Sequence, residues 1–429
     1  MNIRQAKLPE GWEMKKLGDV CDVIGGGTPS KKNAKFYEGK ILWATVRDMK
    51  SEIISNTEFK ITEEAVKKSS TNIITKGNVI IATRVGLGKV CFLENDTAIN
   101  QDLRGIVPKK SNQINVGYLF QWFKSISHLI LKEGTGATVQ GVKLPFVKSL
   151  EIPLPPLPEQ QRIVTILDKA FAAIDQAKAN AEQNLQNAKE LFVSYLQGVF
   201  ENGDWETKTV QEITRVINGY AFSSKDFKPT NSVKSVKITN VGVKEFVEET
   251  DNYLPEEFGE TLKKVQVKEG DIVIALTRTI ISAGLKVAVV PATYDGALVN
   301  QRVAALVAHE QDINPNFLYY YLSTKGVADY VLAHVNTLMQ PNLSINDLKT
   351  LPVPLPSIDE QVSILSQLDT IQAEAKRLVA VYQKKITDLE ELKKSILQKA
   401  FAGELEVSEL GFVGLKDDKI LRDVKKESA

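Results

Sequence analysis

The sequence predicts an α+β protein in which one mixed unit of strands and helices is built twice. Two long helices complete it by pairing as an antiparallel coiled coil. Three observations carry this. The second half of the chain repeats the first about 193–201 residues on. Each copy opens with short apolar runs bounded by turn residues, the pattern of strands. Each copy closes on a long stretch with apolar residues at alternating spacings of three and four, the seam of a coiled coil.

The repeat is legible residue by residue. Trp12 returns as Trp205, and Val23-Ile24-Gly25-Gly26 as Val216-Ile217-Asn218-Gly219. Gly77 and Ala82 return as Gly270 and Ala275, and Asn100-Gln101 as Asn300-Gln301. The proline-rich run 152–161 returns at 351–361, and Leu191, Ser194, Leu196, Gln197 and Phe200 return as Leu392, Ser395, Leu397, Gln398 and Phe401. A duplicated unit suits a two-part partner better than one small substrate.

Along the first copy, Ile41–Ala44 and Val79–Ala82 read as strands, the latter introduced by the turn Lys76-Gly77-Asn78. Tyr118, Leu119, Trp122, Phe123 and Ile126 give an amphipathic helix over 116–130. The second copy offers Asp271–Ala275 as strand and 316–332 as one helix. The first long stripe runs through Ile163, Leu167, Ala170, Ile174, Ala177, Ala181, Leu185, Ala188, Phe192, Tyr195 and Val199. The second runs through Leu365, Leu368, Ile371, Ala375, Val379, Tyr382, Ile386, Leu389, Leu392 and Ile396. Some forty helical residues make a rod of about 60 Å. Neither stripe can be buried alone; each could pack on its own unit instead of on the other stripe, but the stripes continue for many turns beyond one unit's reach, which favours the pair. Antiparallel pairing sets the two units at opposite ends, related by a pseudo-two-fold axis. The resulting division is 1–150, 151–202, 203–350, 351–405 and a charged tail, 406–429, with a short apolar pattern at Ile420, Leu421 and Val424.

With 43% hydrophobic and 25% charged residues, the composition is that of an ordinary globular protein. No apolar run is long enough for a bilayer and no secretory signal opens the chain, so the cytoplasm is expected. Cys21 and Cys91 make no disulfide framework, and His128, His309 and His334 supply little for a metal cluster or for acid–base catalysis. Net charge is +1, unevenly spread: residues 1–150 carry an excess of nine positive charges and 203–350 an excess of three negative ones. The first segment therefore suits phosphate contacts better than the second.

Motifs for catalysis fail on inspection. Asn314-Pro315-Asn316-Phe317 has the look of a methyltransferase base-binding loop, but it fits better as a helix cap with proline in the first turn. Val85-Gly86-Leu87-Gly88-Lys89 lacks the Ser or Thr that a phosphate loop needs. The chain reads as a binder. Its candidate DNA contacts are Arg, Lys, Gln, Asn and Thr side chains in loops between strands. In the first copy these are Lys31, Lys32, Lys35, Arg47, Arg84, Lys89, Thr138, Gln140 and Lys143. In the second they are Lys225, Lys228, Lys237, Asn240, Arg278, Lys286, Asn336, Gln340 and Asn342. Arg84 and Arg278 stand out because both follow the same repeated strand.

Taken together, several features resemble the specificity subunit of type I restriction–modification systems. They are Leu8-Pro9-Glu10-Gly11-Trp12 before Leu17-Gly18-Asp19, the loop at 25–40, the proline joint with Glu159-Gln160-Gln161 and its repeat, and Leu397–Leu405. The resemblance runs to about Leu405. It implies two target-recognition domains, each followed by a conserved-region helix, reading the halves of an asymmetric bipartite double-stranded DNA target. The paired helices would set the spacer and dock two modification subunits, which carry S-adenosylmethionine and methylate adenine. Two restriction subunits, with ATP and Mg, would add cleavage. The resemblance implies no catalytic residue and no cofactor in this chain; the few histidines and cysteines suggest no metal site, and the lack of a bilayer-length apolar run suggests no membrane partner. The competing expectations are a coiled-coil scaffold that holds proteins instead of DNA, and a self-sufficient methyltransferase, for which no cofactor motif is found.

Overall fold

The computed structural model describes residues 8–134, 141–249, 253–335 and 341–405. It divides into two compact units, residues 1–181 with 384–429 and residues 182–383. Thr138, Gln140, Asn336, Gln340 and the tail pattern at Ile420, Leu421 and Val424 lie outside the described residues.

In the first unit, Val79–Ala82 is apolar at every position because both of its faces are covered. Val79 and Ile81 pack beneath the helix Val116–Glu133, against Tyr118, Leu119 and Trp122. Ile80 and Ala82 face the other way, into a cluster with Ala44, Ile54, Ile99 and Leu103. This strand lies in a five-stranded sheet ordered Cys21–Gly25, Leu103–Pro108, Val79–Ala82, Val90–Leu93, Ile53–Ile54. A four-stranded sheet, ordered Phe59–Ile61, Ile41–Ala44, Thr97–Ile99, Asn72–Ile74, forms the second layer. Glu13–Lys16 pairs antiparallel with Glu151–Leu154, so the proline-rich strand closes the unit where it began.

The second unit repeats this plan. Its main sheet is ordered Thr214–Asn218, Val303–Ala308, Ile272–Ala275, Val287–Val289, and Thr207–Thr209 pairs with Pro352–Pro354. The expected single helix over 316–332 is two helices, Pro315–Leu322 and Lys325–His334. Ser323 and Thr324 cause the break. The Ser323 hydroxyl donates to the Tyr319 carbonyl at 2.8 Å, and Thr324 Oγ1 accepts from the Val327 N–H as a new N-cap.

The two long helices span Leu157–Asn202 and Ile358–Ala402. In the first unit their contact order is antiparallel: Asp175 meets Lys393 at 2.8 Å and Lys178 meets Glu390 at 2.6 Å. Ile163, Leu167, Ala170 and Ile174 share a core there with Ile396, Leu397, Ala400 and Phe401. In the second unit Leu196 is buried with Ile364 and Leu368, and the Tyr195 hydroxyl donates to Gln367 Oε1 at 2.8 Å. One stripe residue departs from expectation. Leu392 is 41% exposed, because the stem of Lys393 takes the inward place and its ammonium sits 4.9 Å from the Phe171 ring centre.

Each long helix is fixed at its start by a buried glutamine. Gln160 Oε1 accepts from the Asn115 N–H at 2.8 Å, and its Nε2 donates to the carbonyls of Gln113 and Pro155. Gln361 repeats the arrangement with the Asn314 N–H at 2.8 Å and the carbonyls of Asp312 and Pro356.

Candidate nucleic-acid interface

The loops that carry the candidate contacts stand on a braced turn present in both units. A Cβ on Gly26 would lie 2.1 Å from the Asn100 carbonyl oxygen, and one on Gly219 would lie 2.1 Å from that of Asn300. Only glycine allows the two chains to approach so closely, which explains why this glycine and this asparagine recur together. The loop after the next strand is also held alike. Thr45 N–H donates to Asp48 Oδ2 at 2.7 Å, and Lys237 N–H donates to Asn240 Oδ1 at 2.8 Å.

In the first unit these loops enclose a cleft of about 860 Å³. Trp43 forms its floor, held by an indole hydrogen bond to the Gly27 carbonyl at 3.1 Å and an edge-on contact with Tyr37. Lys31 and Arg47 line the cleft with Thr28, Gln101 and Asp102, and both cations are exposed. Arg47 lies 3.9 Å from Glu58 with both side chains largely in solvent, a contact of little energetic weight. Lys32 and Lys35 are exposed on the same loop, outside the lining. Arg84 lies 3.6 Å from Asp102, at the cleft's edge. Lys89 instead turns its ammonium onto the Met49 carbonyl at 3.2 Å, and so ties two loops together. Lys143 is exposed at the N-cap of the short helix Leu144–Ser149.

In the second unit Lys225 and Lys228 are exposed on the loop that follows the glycine turn. Lys237 is half-buried, its ammonium 4.1 Å from the centre of the Phe227 ring. Lys286 mirrors Lys89 by donating to the Ile238 carbonyl at 2.8 Å; burial, and then Arg278, lower its ammonium pKa. Asn342 is exposed and its Oδ1 accepts from the Arg278 N–H at 3.3 Å.

Two sequence expectations change here. Asn240 is 0% exposed, and its amide donates to the Val247 carbonyl at 2.8 Å while also meeting the Tyr294 hydroxyl. It is the counterpart of Asp48 and belongs to the scaffold. Arg84 and Arg278 also differ by one place in the repeat. Arg84 bridges to Gly141 as Thr277 bridges to Asn342, so Arg278 stands opposite Val85. Both of those residues are left-handed, with φ of +34° at Val85 and +50° at Arg278, an uncommon conformation that the surrounding loop must hold.

The Asn314 stretch is a helix cap. Asn314 Oδ1 accepts from the Asn316 N–H at 2.9 Å and Pro315 occupies the first turn. Sequence reasoning passed over Thr28 and Gln101 as cleft residues, although the Asn-Gln pair recurs in both copies. Among the described residues no helix is long and apolar enough to cross a membrane.

The model of the type I restriction modification DNA specificity domain matches residues 9–186 and again 202–387. The type I restriction enzyme MjaVIII specificity subunit of Methanocaldococcus jannaschii is 27% identical over 424 residues, 95% of this chain and 96% of its own. The EcoR124I/EcoR124II specificity subunit of Escherichia coli is 37% identical over 164 residues, 37% of this chain and 40% of its own. The crystal structure of the HsdS subunit from Thermoanaerobacter tengcongensis shares the fold, with a TM-score of 0.67 at 20% identity over 94% of this chain and all of that one.

Proposed function

This chain belongs to the type I restriction–modification DNA specificity family, and on that premise we propose that each of its units reads one half of an asymmetric bipartite duplex target. The observation that carries the reading is the double match of the DNA specificity domain, one match for each copy of the loop scaffold. The domain division is 1–150 and 203–350 for recognition, 151–202 and 351–405 for the conserved-region helices, and 406–429 for the tail.

In the first unit Lys31 and Arg47 enter the groove from the cleft, while Lys32, Lys35, Lys143 and Arg84 hold phosphates. In the second, Lys225, Lys228 and Arg278 take the phosphate role, with Asn342 beside Arg278. Lys89, Lys286 and Lys237 brace the loops, and Asn240 leaves the contact set. The paired helices set the spacer and dock two modification subunits, which bring S-adenosylmethionine for adenine methylation. Two restriction subunits with ATP and Mg complete the cleaving complex, which acts in the cytoplasm.

The test is duplex binding by the chain assembled with modification subunits, over a panel of sequences and a range of salt. Specific binding favours one bipartite sequence and weakens steeply as salt rises, since phosphate contacts release counterions. Equal binding to every duplex would leave a protein-holding scaffold as the better reading.

A further inference from the structure

Of the glutamine pairs that recur in this chain, one is buried in both units and another is exposed in both. Gln160 and Gln361 are both 0% exposed and bonded at both ends of the amide, as a structural glutamine should be. Gln101 and Gln301 are exposed. Asn100 Oδ1 accepts from the Asp102 N–H at 3.1 Å and Asn300 Oδ1 accepts from the Arg302 N–H at 3.3 Å, so each glutamine sits at the tip of an Asx turn. The asparagine N–H groups bond to Ala44 and Val236, each at 3.0 Å, and Gly26 and Gly219 close the other side. The turn is thus rigid in both units, and what it presents to solvent is the glutamine.

In the first unit Gln101 lines the cleft beside Lys31 and Arg47. The Thr28 hydroxyl donates to its Oε1 and its Nε2 donates to Asp102 Oδ2 at 3.5 Å, which orients the amide and leaves one lone pair and one N–H free. A primary amide held in this way matches adenine, whose major-groove edge accepts at N7 and donates from N6. From these observations, and resting on the recognition role proposed above, we infer that Gln101 and Gln301 are specificity determinants that each read an adenine in their own half-site.

The experiment compares wild type with Gln101→Ala, Gln101→Glu, Gln301→Ala and Gln301→Glu, each assembled with modification subunits, on duplexes substituted singly at every target position. Gln101→Ala loses about tenfold or more of its discrimination at one A·T pair in one half-site, and Gln301→Ala does so at one pair in the other half. The glutamate variants keep the side chain's size and can accept but not donate, so they turn preference at those positions towards cytosine, whose N4 donates. A misfolded chain cannot produce such a switch. Wild type without sequence preference would overturn the recognition role itself. Specific wild type with variants that weaken uniformly, or that lose discrimination at a G·C pair, would overturn this inference and leave recognition standing.

Discussion

At the scale of single residues, the structure separates side chains that hold the fold from those that face a partner, and the two groups respond differently to change. Replacing Gln160 with Ala strands the Asn115 N–H and the carbonyls of Gln113 and Pro155 in a buried place. Left without partners, such groups cost about 1–3 kcal/mol, so urea unfolding of Gln160→Ala should show a loss of that size. The two thiols give a second test. Burial raises the Cys21 pKa from 9.0 to about 12 and that of Cys91 from 9.0 to about 11. The folded chain therefore keeps protons that the unfolded chain releases. The thiols favour folding fully below about pH 9 and lose that contribution as pH rises towards 11 and 12. Thermal melts from pH 8 to 11 should show a falling midpoint, with a shallower fall in the Cys21→Ala, Cys91→Ala double variant. Alkylation of the native chain at pH 8 should be slow compared with the urea-unfolded chain.

At the scale of elements, the long helices were the most legible part of the sequence, because a stripe at spacings of three and four leaves little choice of partner. Leu167 and Leu368 occupy the same place in the repeat, and each is 0% exposed in its own unit. Truncating either to Ala should cost about 2–5 kcal/mol. Hydrogen exchange should show protection falling first in residues 157–181 for Leu167→Ala and in 358–383 for Leu368→Ala. Equal loss throughout would mean that the units unfold as one. Where periodicity is weaker, legibility fades. The break at Ser323-Thr324 depends on side chains choosing the main chain over solvent, and the outward turn of Leu392 depends on Phe171, a residue far away in sequence. Loops were least legible of all. Asn240 has the residue type of a base reader and the burial of a cap, and only the three-dimensional placement of Tyr294 and Val247 decides between them. The one-place shift between Arg84 and Arg278 has the same origin, since hydrogen-bond partners, not residue count, set a loop's register.

At the scale of the whole molecule, the chain passes between its units only through helix, because residues 181–182 and 383–384 lie inside Leu157–Asn202 and Ile358–Ala402. Helix has a fixed rise, so a function that depends on its length can be tested by arithmetic. Removing seven residues takes out about 10 Å, close to three base pairs of duplex at about 3.4 Å each. A heptad is the right quantum, because two turns of a coiled-coil helix bring the apolar stripe back to the same face. Both helices must lose it together: shortening one alone would slide Asp175 past Lys393 and Lys178 past Glu390. Deleting residues 179–185 and 382–388 removes Ala181 and Leu185 from one stripe and Tyr382 and Ile386 from the other, and it leaves every loop residue in place. Mapping of methylated adenines by the assembled complex should then show both half-sites unchanged and a spacer shortened by about three base pairs. Unchanged spacing would show that something other than helix length measures the gap. Altered half-sites would show that the helices take part in reading the sequence itself.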